Sequence, residues 1–341
     1  DFEVAYLDYL RSKHADTLEE LKNGKYGADQ RAVLAAAARE LTAQYVEVMA
    51  GGLKEVRERI TSVQNTMQIT SAMKMVAAAK LRRAQDAITR MRPYAEKLQA
   101  VLSNVSGSLD SSEGIYSEQR DVKRVLLVAI TSNRGLCGGF NNNIIKQVNS
   151  AIKQGDAEYH VLALGKKAND AFKKNPLLSP KGFNEDTWKI FDDLNFDTAQ
   201  KVAEGIMDQF SSGTYDAVKI IYNKFVNAAV QETTMESYLP LEPLEAKGDG
   251  LKGVDIEYIF EPNEAEIVER IIPNSLKVQL YKGLLDSHAA EHGARMTAMH
   301  QATENGGELL RELRISYNKA RQAAITTEIL EIVAGSEALD A

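Results

Sequence analysis

Apolar residues recur from Leu53 to about Leu109 at alternating intervals of three and four: Leu53, Val56, Ile60, Val63, Met67, Ala77, Leu81, Ala84, Ile88, Met91, Ala95, Leu98, Leu102, Val105 and Leu109. Thr70 and Lys74 fill the two remaining steps and are the polar breaks in the seam. This a/d spacing is the signature of a helix that winds left-handed around a partner. It predicts a rod of roughly 85 Å, longer than a globular domain needs. Pro93 lies inside the rod, where the helix should bend or rely on neighbours, and the polar run SGSLDSSEG at 106–114 closes it. A second 3-4 pattern runs through Met299, Ala302, Gly306, Leu309, Leu313, Ser316, Ala320, Ala323, Thr327, Leu330 and Ala334. Its residues are small enough to let a partner approach closely. From Ser275 to Gly335 this helix would also measure roughly 90 Å, so the two predict an antiparallel pair.

Between them the period changes. Val125 to Ile130 is a continuous apolar run, as expected of a strand buried on both faces. The loop Thr131–Asn141 follows, then a helix carrying Ile144, Ile145, Val148 and Ile152. Further strands are expected at Tyr159–Leu164, Tyr215–Tyr222, Ala229–Leu239 and Ile256–Phe260, with helices at Lys166–Lys174 and Thr198–Ser211. The irregular stretch Pro176–Phe196 holds the single tryptophan, Trp188. This alternation predicts a largely parallel sheet with an antiparallel edge. The fold class is therefore α/β: a long antiparallel coiled coil of N- and C-terminal helices with an inserted Rossmann-like α/β domain. The predicted parts are a helical tail at 1–48, the first coiled-coil helix at 49–115, the α/β domain at 116–262 and the second coiled-coil helix at 263–341. Residues 1–48 read as two short amphipathic helices. They lead into Met49-Ala50-Gly51-Gly52, where the glycine pair predicts a break and the methionine has the look of an initiator.

Composition adds only exclusions. The 341 residues are 44% hydrophobic and 26% charged, ordinary values that leave room for two domains. A net charge of -7 with interleaved signs argues against a nucleic-acid binder. With one cysteine, Cys137, an intramolecular disulfide cannot form, and a reducing compartment is expected. The apolar runs are too short to span a bilayer, and the first residues do not read as a secretory signal. Any action at a membrane would pass through partners.

Three stretches invite chemistry. Thr131–Asn141 joins a strand to a helix, where phosphates often sit. Its glycines, Gly135, Gly138 and Gly139, match neither the dinucleotide nor the Walker spacing, which favours a tight turn. His288-Ala-Ala-Glu291-His292 has the inverted zinc-protease spacing and puts both histidines on one helix face. The heptad-like surroundings favour a solvated face instead. Arg321, Gln322, Thr326 and Glu328 crowd the last turns of the second long helix. They are either its wet side or forked donors for carboxylates of a surrounding protein. Cys137, with no base identifiable beside it, reads as packing.

Longer matches narrow the choice. Ile60-Thr-Ser-Val-Gln-Asn-Thr, Ile69-Thr-Ser-Ala-Met-Lys-Met-Val-Ala-Ala-Ala-Lys80, Arg92-Pro-Tyr-Ala95, Thr131–Asn141 and Tyr317-Asn-Lys-Ala-Arg-Gln-Ala-Ala-Ile-Thr326 together resemble the gamma subunit of F-type ATP synthases. The likeness extends in order from about Met49 to the C-terminus. It implies a rotary shaft inside a hexamer of alpha and beta subunits, with no catalytic residue, cofactor or metal of its own. Contacts with beta would lie at Met73 and Arg295, and near the tip at Arg321, Gln322 and Thr326. Tyr258, Phe260 and Glu261 match the segment facing the epsilon subunit and the c-subunit ring. The protein would then be peripheral, at the cytoplasmic face of a bacterial plasma membrane. Residues 1–48 resemble instead the C-terminal tail of the alpha subunit, which implies a junction of two reading frames and a native start at Met49. The competing readings are a coiled-coil scaffold without rotary role and a nucleotide- or zinc-dependent enzyme.

Overall fold

A computed structural model describes residues 2–22, 27–105, 115–175, 179–184, 186–241 and 264–339. The chain divides into two compact units, one of Thr70–Gln301 and one of Asp1–Ile69 with Ala302–Ala341. Two long helices contribute to both: α3 (Ala28–Val105) and α7 (Glu264–Leu339).

In the unit Thr70–Gln301, β1 (Arg124–Ile130), β2 (Glu158–Leu164), β3 (Ala217–Phe225) and β4 (Gln231–Leu239) form one sheet in the order β2-β1-β3-β4. β1 pairs parallel with β2 and β3, and β4 is the antiparallel edge. Because successive side chains of a strand point to opposite faces, the run Val125–Ile130 feeds two cores. Leu126, Val128 and Ile130 pack with Ala203, Ile206 and Phe210 of α6 (Phe196–Ser211) and with Leu276, Leu280 and Leu284 of α7. Val125, Leu127 and Ala129 pack with Ile144 and Val148 of α4 (Phe140–Gln154) and Ala168 and Phe172 of α5 (Lys166–Phe172). α6 starts on a capping box in which Asn195 accepts from the Thr198 N–H at 2.8 Å. Trp188 lies in a 3₁₀ turn, Thr187–Asp192. The strand expected at Ile256–Phe260 lies outside the described residues.

The α3 seam has the expected register. Every seam residue from Leu53 to Leu98 is buried or half-buried, Thr70 and Lys74 included. In this unit Leu81 and Ala84 pack on Ala289 of α7, and Lys74 Nζ lies 3.3 Å from His300 Nδ1. In the other unit Arg57 donates to the Tyr317 hydroxyl at 2.8 Å. There Gly306 lets α7 approach Met67 so closely that a β-carbon would stand 2.7 Å from its Cγ. The partners rise on one helix as they fall on the other, so the pairing is antiparallel within each unit.

Two expectations need correction. α3 does not break at Gly51-Gly52: it runs without interruption from Ala28. Glycine lowers helix stability by only about 1 kcal/mol, which long flanking helix can absorb. On α7 three of the eleven expected seam residues are displaced by one position, and Leu330 and Ala334 near the end are exposed. Gly306, Leu313, Ala320 and Thr327 face inward as expected, but Ala302, Leu309 and Ser316 are exposed, and Thr303, Leu310 and Tyr317 take their places. Upstream, α1 (Phe2–Lys13) and α2 (Ala15–Lys22) precede α3. α1 folds onto its first turns: Leu10 and Ala37 are buried, and the Tyr6 hydroxyl donates to the Leu34 carbonyl at 2.8 Å.

Candidate functional site: contact surfaces on the paired helices

The loop after β1 is held at its base by Asn141 of α4, whose side-chain oxygen accepts from the Ser132 N–H at 2.9 Å. The Ser132 hydroxyl donates to the Arg134 carbonyl at 2.6 Å, and the Thr131 hydroxyl accepts from Ala168 N–H at 2.8 Å. At its tip Leu136 adopts a φ of 63° and leaves its side chain 65% exposed. A bulky residue in the left-handed region persists only where its surroundings over-determine it.

Arg295 supplies that restraint from α7. It is 9% exposed and donates to the carbonyls of Gly135 and Arg134 and, at 2.5 Å, to Glu291 one turn before it. Burial pushes the Glu291 carboxyl up, and the Arg295 guanidinium pulls it partly back. Cys137 lies beneath the loop with Phe140, against Ala290 and Ala294 of α7. Its thiol is pushed up by burial, so it packs rather than reacts.

The H-x-x-E-H face is buried, not solvated. His288 and His292 bring their Nε2 atoms to 3.1 Å, and Phe191 stacks on His288. Burial lowers both, to about 4 and about 3 respectively, with the charge of Lys80 acting in the same sense. Glu291 is committed to Arg295. Among the described residues no group of three or more His, Cys, Asp or Glu side chains is placed to hold a metal ion.

Met73 is half-buried on α3, and Met75 and Val76 beside it are exposed. Met73 and Arg295 belong to the unit Thr70–Gln301, whereas Arg321, Gln322 and Thr326 belong to the other. Those three are exposed on α7, and the Thr326 hydroxyl donates to the Gln322 carbonyl one turn back, at 2.9 Å. Around and beyond them Ile325, Ile329, Leu330, Ile332 and Val333 are exposed. Sequence reasoning missed this apolar end. Its signal was present, since Ile325, Ile329, Ile332 and Val333 fall outside the 3-4 seam. Contiguous apolar exposure of this kind marks a surface for a partner. Tyr258, Phe260 and Glu261 lie outside the described residues.

An antiparallel helical pair with exposed contact stretches and an inserted Rossmann-like domain defines a class, that of coiled-coil subunits made to engage partners. The family model described as ATP synthase matches residues 52–339. The chain belongs to the ATP synthase gamma chain family. It is 55% identical over 290 residues to the gamma chain of Flavobacterium johnsoniae, covering 84% of this chain and 99% of that one. It is 49% identical over 300 residues to that of Cytophaga hutchinsonii, again covering 84% of this chain and 99% of the relative. Among solved structures it is similar to a chain of the central stalk and c-ring of Tetrahymena thermophila mitochondrial ATP synthase, at 27% identity and TM-score 0.50, covering 69% of this chain and 99% of that one. A chain of the Euglena gracilis enzyme, at 22% identity and TM-score 0.58 over 85% of this chain and 95% of that one, shares the fold.

Proposed function

We propose that this chain is the central rotor shaft of an F-type ATP synthase, coupling ion flow through a membrane ring to ATP synthesis and hydrolysis in a head of alpha and beta subunits. The observation that carries this reading is the paired α3 and α7 with their inserted α/β domain, in a chain 55% identical to a gamma chain along nearly that protein's whole length. Nucleotide chemistry belongs to the head. The shaft acts by contacting each catalytic site differently, and a contact that favours one conformation over another shifts that site's equilibrium by the difference in interaction energy.

The end of α7 is the part that meets beta. Arg321 offers a planar fork of donors for carboxylates, Gln322 and Thr326 add neutral donors, and the exposed isoleucines supply apolar contact. Met73, beside exposed Met75 and Val76, is read as the second contact with beta. Arg295, whose guanidinium is engaged inside the chain, is the other residue assigned to that contact. Tyr258, Phe260 and Glu261 would meet the epsilon subunit and the c ring. Among the described residues no helix is long and apolar enough to cross a membrane, so attachment is peripheral and through partners, at the cytoplasmic face of a bacterial plasma membrane. We read residues 49–115 and 263–341 as the shaft, 116–262 as the domain at its foot, and 1–48 as a segment like the alpha-subunit tail.

The tip contact is tested by replacing Arg321 and Gln322 together with alanine in the assembled enzyme. ATP-driven torque and the rate of ATP synthesis should both fall severalfold. Unchanged values would remove the tip from the coupling surface.

A further inference from the structure

The α/β domain meets α7 along several turns, as far as Thr297, whose hydroxyl donates to the Ala228 carbonyl at 3.0 Å, and two of these levels differ in kind. Leu276, Leu280 and Leu284 enter the core beneath the sheet. Eleven residues further along the helix, about 16 Å by helical rise, Arg295 reaches the loop after β1 and donates to the carbonyls of Arg134 and Gly135. A single apolar contact resists pulling but lets a domain twist about it, whereas a second tie at a distance resists the twist. The second tie here is directional. Glu291, buried with Arg295, holds the guanidinium from one side so that its remaining donors point at the loop. The Arg134 carbonyl accepts from the Ser132 hydroxyl, from Arg295 and, at 3.9 Å, from the Cys137 thiol, so all three meet on one atom of the loop. Cys137 and Phe140 pack on Ala290 and Ala294 between the two levels.

We propose that Glu291 and Arg295 form a torsional staple: Glu291 is a positioning residue that aims Arg295 into the loop after β1, so that the α/β domain and α7 turn as one body. The proposal rests on the rotor reading and adds to it where torque crosses from domain to shaft. It gives Arg295 an internal part, distinct from a direct contact with beta. A lysine could not replace it, because one ammonium lacks the planar fork that spans a carboxylate and two carbonyls.

Cys137, buried beneath the loop, reports directly on whether the staple is closed. The test uses the intact complex carrying Glu291→Gln, Arg295→Ala, both together, or Arg295→Lys. Two quantities are read: the rate at which iodoacetamide alkylates Cys137, followed by peptide mass spectrometry, and ions (H+ or Na+) pumped per ATP hydrolysed. Each single substitution should speed alkylation about tenfold or more, as local opening replaces global protection, and should lower pumping per ATP. The double variant should be no worse than either single, since the two residues act as one unit, and Arg295→Lys should not rescue. If Glu291→Gln leaves both readouts at the unsubstituted values, or if the two effects add, the staple is wrong. Loss of coupling on Arg295→Ala with unchanged alkylation would assign Arg295 to a partner instead. A failure of the rotor reading looks different, because the unsubstituted complex would then pump neither protons nor sodium ions. Should Arg295→Ala prevent assembly, Arg295→Gln replaces it with the same expected pattern.

Discussion

His288 and His292 stand one helical turn apart, and burial keeps both neutral at pH 7, with pKa values of about 4 and about 3. Free histidine takes up its proton near pH 6.5. Below that pH the unfolded chain binds protons that the folded chain refuses, so stability falls by up to about 1.4 kcal/mol per pH unit per histidine. The loss continues until the folded values are reached. Glu291 and Asp286, both raised by burial, work in the opposite sense, and His160, lowered by burial, in the same sense, so the two histidines are isolated by comparison. Between pH 7 and pH 5 urea unfolding should show a larger drop than in a His288→Gln, His292→Gln double variant, which keeps the His160 contribution; parallel losses in the two proteins would contradict it. A second residue-scale constraint is Gly165, at φ 115°, where a β-carbon would lie 2.0 Å from the Thr131 carbonyl oxygen. Gly165→Ala should cost at least about 2 kcal/mol in the same assay. Cys137 was legible as packing because nothing near it in sequence could act as a base. The burial of His288, Glu291 and His292 was not legible, because polar letters in a helix reveal their environment only when the domain that covers them is known.

At the scale of elements, α3 and the sheet follow from their patterns, whereas α7 does so only in part. Small residues and the Leu309-Leu310 pair allow two seams on α7 that differ by one position, and only the partner helix decides between them. The observed one buries Leu313 and half-buries Leu310, and leaves Leu309 outward. Leu313→Ala should therefore cost about 2–3 kcal/mol and Leu310→Ala somewhat less. Leu309→Ala should stay within about 0.5 kcal/mol. Thermal unfolding of the three variants gives the order, and a larger loss at Leu309 than at Leu310 would restore the displaced seam. The glycine pair at 51–52 was misread for a related reason, since local propensity is weak against the continuity of a long paired helix.

For the whole molecule, matched helices at the two ends of the sequence already implied that they pair, and the change of period between them implied an inserted α/β layer. The use of the pair was legible only through long motif matches, because an a/d seam is common to shafts and scaffolds alike. The central claim is that this pair turns. A bead or gold rod fixed to the α/β domain, with the alpha and beta subunits anchored to a surface, tests it by single-molecule microscopy. Sustained rotation in one direction is expected on addition of Mg-ATP, slowed when Arg321 and Gln322 are both alanine. ATP hydrolysis by the same assemblies with the probe standing still would contradict it.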